Sequence, residues 1–421
     1  MLRDVILSQK AELERVLKET YIEREVEPFS LEHNLIKVIM GPRRAGKSFF
    51  VLHTLKRMGT FGYANFDSEA LVLLENYDDL IAEVDRVYEK PATIFFDEIQ
   101  NLPRWELFVN RLQRQGYNIV VTGSNSKLLS RKLATHLTGR HIPTTVLTFS
   151  FKEYLRAKNV DPQKLTTQQR EELLLDYLQS GGYPETVMKK LDPSQYLGVL
   201  FESILYKDII KRHNIRKGPD IEKLAVYLLS NLASELSYLS IAKAVGIKSS
   251  ITVQKYCGFL EEAYLMFTIN RFSYKTKRVG QNRKMYCYDN GLIAAKAFQA
   301  SPNLGKLFEN CIAIHLKRKE IEKRLELYYW RNQQGEEVDF VIKKGTKIVE
   351  LIQACYTLGN EKTREREVRA LLKTGKELRC NKLTVLTLRE DKEEECEWFG
   401  IKGIITYVPF ERWFLDKTVI E

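Results

Sequence analysis

The stretch "KVIMGPRRAGKSFFVLHTLKRMGT", residues 37 to 60, decides the fold. An apolar run ending at Met40 reads as a buried strand, and the apolar spacing from Lys47 to Met58, closed by Gly59, reads as a helix. Between them, Gly41-Pro42-Arg43-Arg44-Ala45-Gly46-Lys47-Ser48 fits the spacing G-x-x-x-x-G-K-[ST]. A loop that wraps a phosphate chain turns successive backbone N–H groups inward. That demands unusual backbone angles, hence glycine at its two ends. The helix start adds unpaired N–H donors and the positive end of a dipole. The expectation is that residues 41–48 cradle ATP, with Lys47 on the β- and γ-phosphates and Ser48 on Mg²⁺.

Alternation of element types continues outward from this loop. A strand "GYANFD", a helix over 69–89, a strand "PATIFFDE", a helix over 105–116 and a strand "NIVVTGS" follow in turn. Short apolar strands separated by helices predict a parallel, doubly wound α/β sheet. The strand ending in Asp97-Glu98 delivers two carboxylates to the sheet's C-terminal edge, where the phosphates lie. Asp97 is expected to hold Mg²⁺ through water and Glu98 to activate the attacking water. Thr122, Ser124 and Asn125 end the next strand at the same edge, and one of them is expected to orient the water or the γ-phosphate. Arg140, in "LTGRHI", is expected to neutralise γ-phosphate charge, either in its own site or in a neighbour's. No N-K-x-D guanine-reading motif is present, which favours ATP over GTP.

Lys and Arg exceed Asp and Glu, for a formal net charge of +11. This leans towards polyanionic partners. The N-terminus has no apolar signal core and no window reaches membrane-helix length, so a cytoplasmic location is expected. The six cysteines stand singly, as reduced thiols rather than a zinc or disulfide framework.

Beyond the sheet, "FSFKEYL" reads as a helix start with Ser150 as N-cap and Glu153 as its capping-box partner. Helical spacing then runs to about residue 218. A helix, a turn at Gly246 and a second helix follow in "YLSIAKAVGIKSSITVQKYCGFLEEAYLMFTINRFS". The last third alternates helices and strands, and the acidic run "EDKEEECE" reads as a solvated turn.

The set GPRRAGKS, FFDEIQNLPRW, VVTGSNSKLLS, LTGR, FSFKEYL and SGGYPE resembles the predicted AAA+-type ATPases of archaea and bacteria. In that family an N-terminal P-loop ATPase precedes a domain of unknown function. "LYKDII", "KMYCYDNGL", "GKLFENCIA" and "GEEVDF" extend the likeness over nearly the whole chain. The resemblance implies a P-loop ATPase domain over residues 1–149, a helical lid over 150–218, a winged helix over 219–300 and a small α/β domain similar to restriction endonucleases over 301–421. In the winged helix, Lys248 and Lys255 beside the second helix and Lys275, Lys277 and Arg278 in the wing are the expected DNA contacts. Such modules also dock proteins. In the last domain Glu309 and Asp339 fit nuclease acid positions, and Glu350 is a candidate second acid. Either register of "KIVELIQACY" lacks one member, Ile352 falling at the lysine position or Leu351 at the acid position. The expected function is therefore an ATPase whose nucleotide state controls DNA engagement. Its alternatives are a protein-binding ATP switch and an ATP-gated nuclease, and an oligomer is compatible with each.

Overall fold

The computed structural model describes residues 2–125, 139–189, 191–274, 282–298, 303–359 and 361–415. The chain divides into two compact units. One spans Met1–Thr148 with Glu262–Tyr264, and the other spans Phe149–Glu261 with Leu265–Glu421.

In the first unit, helix α1 (Leu2–Val16) leads through an irregular segment to strand β1 (Ile36–Met40). Helix α2 (Lys47–Met58), β2 (Gly62–Asn65), α3 (Glu69–Val72), α4 (Tyr77–Val87), β3 (Thr93–Asp97), α5 (Trp105–Arg114), β4 (Asn118–Gly123) and β5 (His141–Thr145) follow. The five strands form one sheet in the order β2-β3-β4-β1-β5, with every pairing parallel. β1 and β3 are buried along their whole length, as strands covered on both faces must be. Ile39, Phe50, Val51, Leu55, Phe95 and Val120 share one core beneath α2. The single helix expected over 69–89 is two. The second starts at Asn76, whose side chain accepts from the Asp78 N–H and caps a new N-terminus.

The second unit opens with α6 (Phe151–Ala157), capped by Ser150 and Glu153 in a reciprocal capping box. Helices α7 (Thr167–Ser180), α8 (Pro184–Met188) and α9 (Pro193–Ser203) run into a π-helix at Ile204–Lys211. Then come α10 (Gly218–Ser230), α11 (Tyr238–Val245) and α12 (Ser250–Glu262). Gly246, left-handed at φ 76°, ends α11 and makes the turn. Strands β6 (Met266–Arg271) and β7 (Arg283–Cys287) follow, then helices α13 (Asn290–Lys296) and α14 (Leu304–Ile321). Next come strands β8 (Glu326–Arg331), β9 (Glu337–Lys344) and β10 (Lys347–Ala354), then helix α15 (Glu361–Leu378). Strands β11 (Leu383–Thr387), β12 (Lys392–Trp398) and β13 (Ile401–Pro409) and helix α16 (Phe410–Leu415) complete the unit.

Two expectations are corrected here. The hairpin β6–β7 does not stand apart as a wing. It joins an eight-stranded mixed sheet, β12-β13-β11-β10-β9-β8-β6-β7, through Asn270 opposite Tyr328 and Arg271 opposite Tyr329. The acidic run is the edge strand β12 rather than a turn, paired antiparallel with β13. Charged side chains on an edge strand keep a second sheet from adding to it.

Candidate functional site

The loop between β1 and α2 stands at the C-terminal edge of the parallel sheet. Gly41 (φ 144°), Arg44 (φ 64°) and Gly46 (φ 89°) all hold positive φ, so the chain curls tightly there. A Cβ on Gly41 would lie 1.9 Å from the Val146 carbonyl oxygen, so only glycine fits. Lys47 is buried, and its Nζ donates to the carbonyls of Gly41 (3.2 Å) and Pro42 (2.9 Å).

Ser48 Oγ donates to Asp97 Oδ1 at 2.9 Å, joining the helix start to the end of β3. Thr122 Oγ1 also donates to Asp97 Oδ1 and accepts from the Glu98 N–H at 3.0 Å. Burial, then the charge of Glu98, pushes the Asp97 carboxyl up to about 6, against hydrogen bonds from Thr122 and Ser48 that favour the ion. Glu98 is half-buried, sits at φ 51° and accepts from the Gln100 side chain. That backbone angle costs on the order of 1–3 kcal/mol for a non-glycine residue. Asn125 is buried at the same edge, and the Ser124 hydroxyl is buried without a hydrogen-bond partner among the described residues. The Ser48 hydroxyl and the Asp97 carboxylate, held 2.9 Å apart, are hard oxygen donors that fit Mg²⁺.

Arg24 is a member of this site that sequence reading missed. Its buried guanidinium donates to the Ala45 carbonyl at 2.9 Å and to the Leu147 carbonyl. It thus ties the loop backbone to the chain just past β5. Arg140 lies elsewhere. It precedes β5, and its carbonyl accepts from Ile36 N at the start of β1. Four strand residues, about 13 Å at 3.3 Å each, separate that level from the loop's start. The guanidinium therefore emerges at the opposite edge of the sheet from the loop.

Lys248 and Lys255 are exposed, before and on α12; Leu239 on α11 (62% exposed) and Ile251 on α12 (75%) are exposed too. Lys275, Lys277 and Arg278 lie outside the described residues. In the mixed sheet, Lys284 of β7 supplies a lysine that no reading of "KIVELIQACY" contained. Its Nζ, on a residue 2% exposed, lies 3.5 Å from Glu309 Oε1 and 3.5 Å from Asp339 Oδ1, and it also pairs with Glu337. Burial opposes the Lys284 charge, but Tyr286, Glu309, Asp339 and Glu337 outweigh it and hold the ammonium well above its ordinary range. Tyr286 donates to Glu309 at 2.8 Å. Glu350 does not join these acids. It accepts from Thr384 (2.7 Å) and pairs with Lys382 (3.2 Å), whereas Gln353 accepts from the Asp339 N–H at 3.4 Å. Three residues separate Glu350 from Gln353, and an odd spacing puts them on opposite faces of a strand. Among the described residues no group of three or more acid, His or Cys side chains is arranged to hold a metal ion.

A glycine-bounded loop before a helix and a buried acid on the neighbouring strand, at one edge of a parallel sheet, define the class: a P-loop, AAA-type ATPase fold. Residues 33–155 match the AAA domain family, residues 171–302 a domain of unknown function (DUF8612) and residues 304–410 a second one (DUF4143). The chain is 35% identical over 435 residues to the uncharacterized protein MJ1544 of Methanocaldococcus jannaschii, covering 99% of this chain and 95% of the relative. It is 28% identical over 352 residues to an uncharacterized protein of Haemophilus influenzae, covering 79% and 85%. Among solved structures, the Walker-type ATPase PABY2304 of Pyrococcus abyssi superimposes with a TM-score of 0.43 at 15% identity, over 68% of this chain and 95% of that one. The chain belongs to the family of MJ1544, and in this chain an AAA domain is followed by two domains of unknown function. Among the described residues no helix is long and apolar enough to cross a membrane.

Proposed function

We propose that this protein binds and hydrolyses ATP in its first unit, and that its nucleotide state controls engagement of DNA by its second. The observation that carries the ATPase reading is the Ser48–Asp97–Thr122 cluster, which joins the loop, the β3 carboxylate and the next strand within hydrogen-bond distance.

Phosphates fit the backbone N–H groups at the loop's helix end, Gly46 to Ser48, and Lys47 exchanges its loop carbonyls for the β- and γ-phosphate oxygens. Ser48 and Asp97 are the groups that would hold Mg²⁺, which supplies charge neutralisation on the transferring phosphoryl group. Glu98 accepts a proton from the attacking water as the new P–O bond forms at the γ-phosphorus and the bond to the β-phosphate oxygen breaks, releasing ADP. Asn125 and Ser124, buried just past the end of β4, are the candidates to orient that water. Arg140, at the far edge of its own sheet, fits the site of a second copy rather than its own.

Lys248 and Lys255 flank and occupy the exposed face of α12, as phosphate contacts of a winged helix would, with the hairpin β6–β7 as a wing built into the larger sheet. One observation favours a second reading. Leu239 on α11 and Ile251 on α12 are largely exposed apolar side chains, which suits an apolar protein partner. The restriction-endonuclease-like domain reads as a non-cleaving module. Lys284, clamped by three carboxylates, fills the space a catalytic cation needs, and Gln353, which stands for the lysine in one register of "KIVELIQACY", accepts from the Asp339 N–H.

The test has two arms. Glu98→Gln should keep ATP bound while turnover falls by about 10²–10⁴-fold, the usual worth of a general base. Equal loss of binding sinks the role. Lys248→Glu with Lys255→Glu should cut duplex DNA affinity and lower its log–log salt slope by about 0.9 for each phosphate left unpaired. An unchanged slope favours the protein-docking reading.

A further inference from the structure

Helix α5 buries Trp105, Phe108, Val109 and Leu112 against the sheet of the first unit. Its outer face carries Leu107, Arg111 and Arg114, at spacings of four and three that align them along one stripe, and Arg104 precedes them as the N-cap residue. These four, with Tyr77 and Arg140, line an open cavity of about 660 Å³. Four arginines therefore line one space. Only Arg111 has a counter-charge, Asp78 at 2.6 Å. Arg104, Arg114 and Arg140 are exposed and have no ion-pair partner among the described residues. Like charges gathered without a counter-ion repel, and a bound anion relieves that repulsion.

The length of the stripe selects the anion. Arg104 to Arg114 is ten residues, about 15 Å of helix. That suits a chain of regularly spaced phosphates. The floor is not uniformly polar. Leu107 is 56% exposed, and the Tyr77 ring packs at 5.2 Å from Phe108 with its hydroxyl donating to the Pro103 carbonyl. Apolar and aromatic faces beside arginines are what unpaired bases and sugars pack on, whereas a duplex hides its bases.

We propose that this groove on the ATPase unit binds the phosphodiester backbone of a single-stranded nucleic acid. The site is distinct from the α12 surface and does not depend on DNA engagement by the second unit. Arginine suits it because its planar fork pairs with phosphate in two hydrogen bonds and stacks on a base face.

The test uses the full chain and labelled oligothymidylate and oligouridylate, followed by fluorescence anisotropy over about 50–200 mM salt. Arg104→Glu with Arg114→Glu should weaken binding of these strands and lower the log–log salt slope by about 1.4, or about 0.7 for each single-strand phosphate left unpaired. Basal ATP turnover should be unchanged. Arg104→Lys with Arg114→Lys keeps the charges and should retain most of the slope. Lys248→Glu with Lys255→Glu should leave oligothymidylate binding intact, which separates this groove from the α12 surface. Three results overturn the proposal: no binding of either strand by the wild-type chain, an unchanged slope in the glutamate variant, or loss of self-association in sedimentation with strand binding intact. The last assigns the arginines to a second copy of the chain.

Discussion

Replacing Arg24 with alanine should loosen the phosphate loop without touching any residue that faces the phosphates. The guanidinium is 7% exposed and holds two backbone carbonyls, Ala45 O at 2.9 Å and Leu147 O. Its removal leaves both acceptors buried and unpaired, at about 1–3 kcal/mol each. The sum centres on about 4 kcal/mol. For a unit of this size each kcal/mol moves Tm by about 2–4 °C, so the transition of the ATPase unit should fall by about 12 °C. Scanning calorimetry of the full chain identifies that transition as the one raised by magnesium ATP. ATP affinity should fall about tenfold, the equivalent of 1.4 kcal/mol for a loop that must be ordered on binding. Arg24→Lys, which can reach one carbonyl but not both, should lose about half the stability. Added guanidinium ion should restore part of the ATP affinity of the alanine variant. An ATP-sensitive transition in Arg24→Ala within about 2 °C of wild type would refute the reasoning, since the arginine would then hold nothing the loop needs.

Other perturbations test other parts of the fold. Gly41→Ala places a methyl 1.9 Å from the Val146 carbonyl, so ATP binding measured by titration should be lost while the second unit's thermal transition stays in place. Lys284→Met strips the ammonium from Glu309, Glu337 and Asp339, and should destabilise the second unit by about 3–5 kcal/mol in denaturant titration, as breaking a buried ion cluster does. The Glu309→Gln change in that background should recover part of it. His315 is half-buried against Trp413 and Phe414, and its loss of water, followed by the charges of Lys319, Arg318 and Lys152, holds its imidazole well below the ordinary range. It stays neutral in the fold but takes a proton below about pH 6.5 once unfolded. The second unit should therefore lose stability as pH falls below about 6.5, by up to 1.4 kcal/mol per pH unit from this group. His315→Gln should flatten that slope between about pH 5 and 6.5, and a slope equal to wild type there would show that the histidine titrates normally.

What the sequence disclosed and what it hid divide by distance along the chain. The loop from Gly41 to Ser48 and the Ser150–Glu153 capping box are built from neighbours, so their chemistry is written in consecutive letters. The Arg24 clamp reaches across 21 and 123 residues, and nothing near "YIEREV" marks that arginine apart from the others. Lys284 is separated by 25 residues from Glu309 and by 55 from Asp339, and only the joining of β6–β7 to the C-terminal sheet brings its ammonium to them. "KIVELIQACY" holds no such lysine because a different strand, β7, supplies it. The register of β10 settles the acids in the same way. Pairing Ile352 with Phe340 sets Gln353 beside Asp339 and turns Glu350 towards Thr384, a choice of face that no local pattern fixes when both faces are buried. Sheet polarity does the same for Arg140. In a parallel sheet every strand starts at one edge and ends at the other, so a residue just before β5 is held away from a loop just after β1. An arginine so placed can meet a phosphate loop only where a second sheet presents its opposite edge. ATP turnover per chain that rises with protein concentration in wild type, and not in Arg140→Ala, is the expected signature. Turnover that is independent of concentration in both would leave Arg140 without a role in hydrolysis.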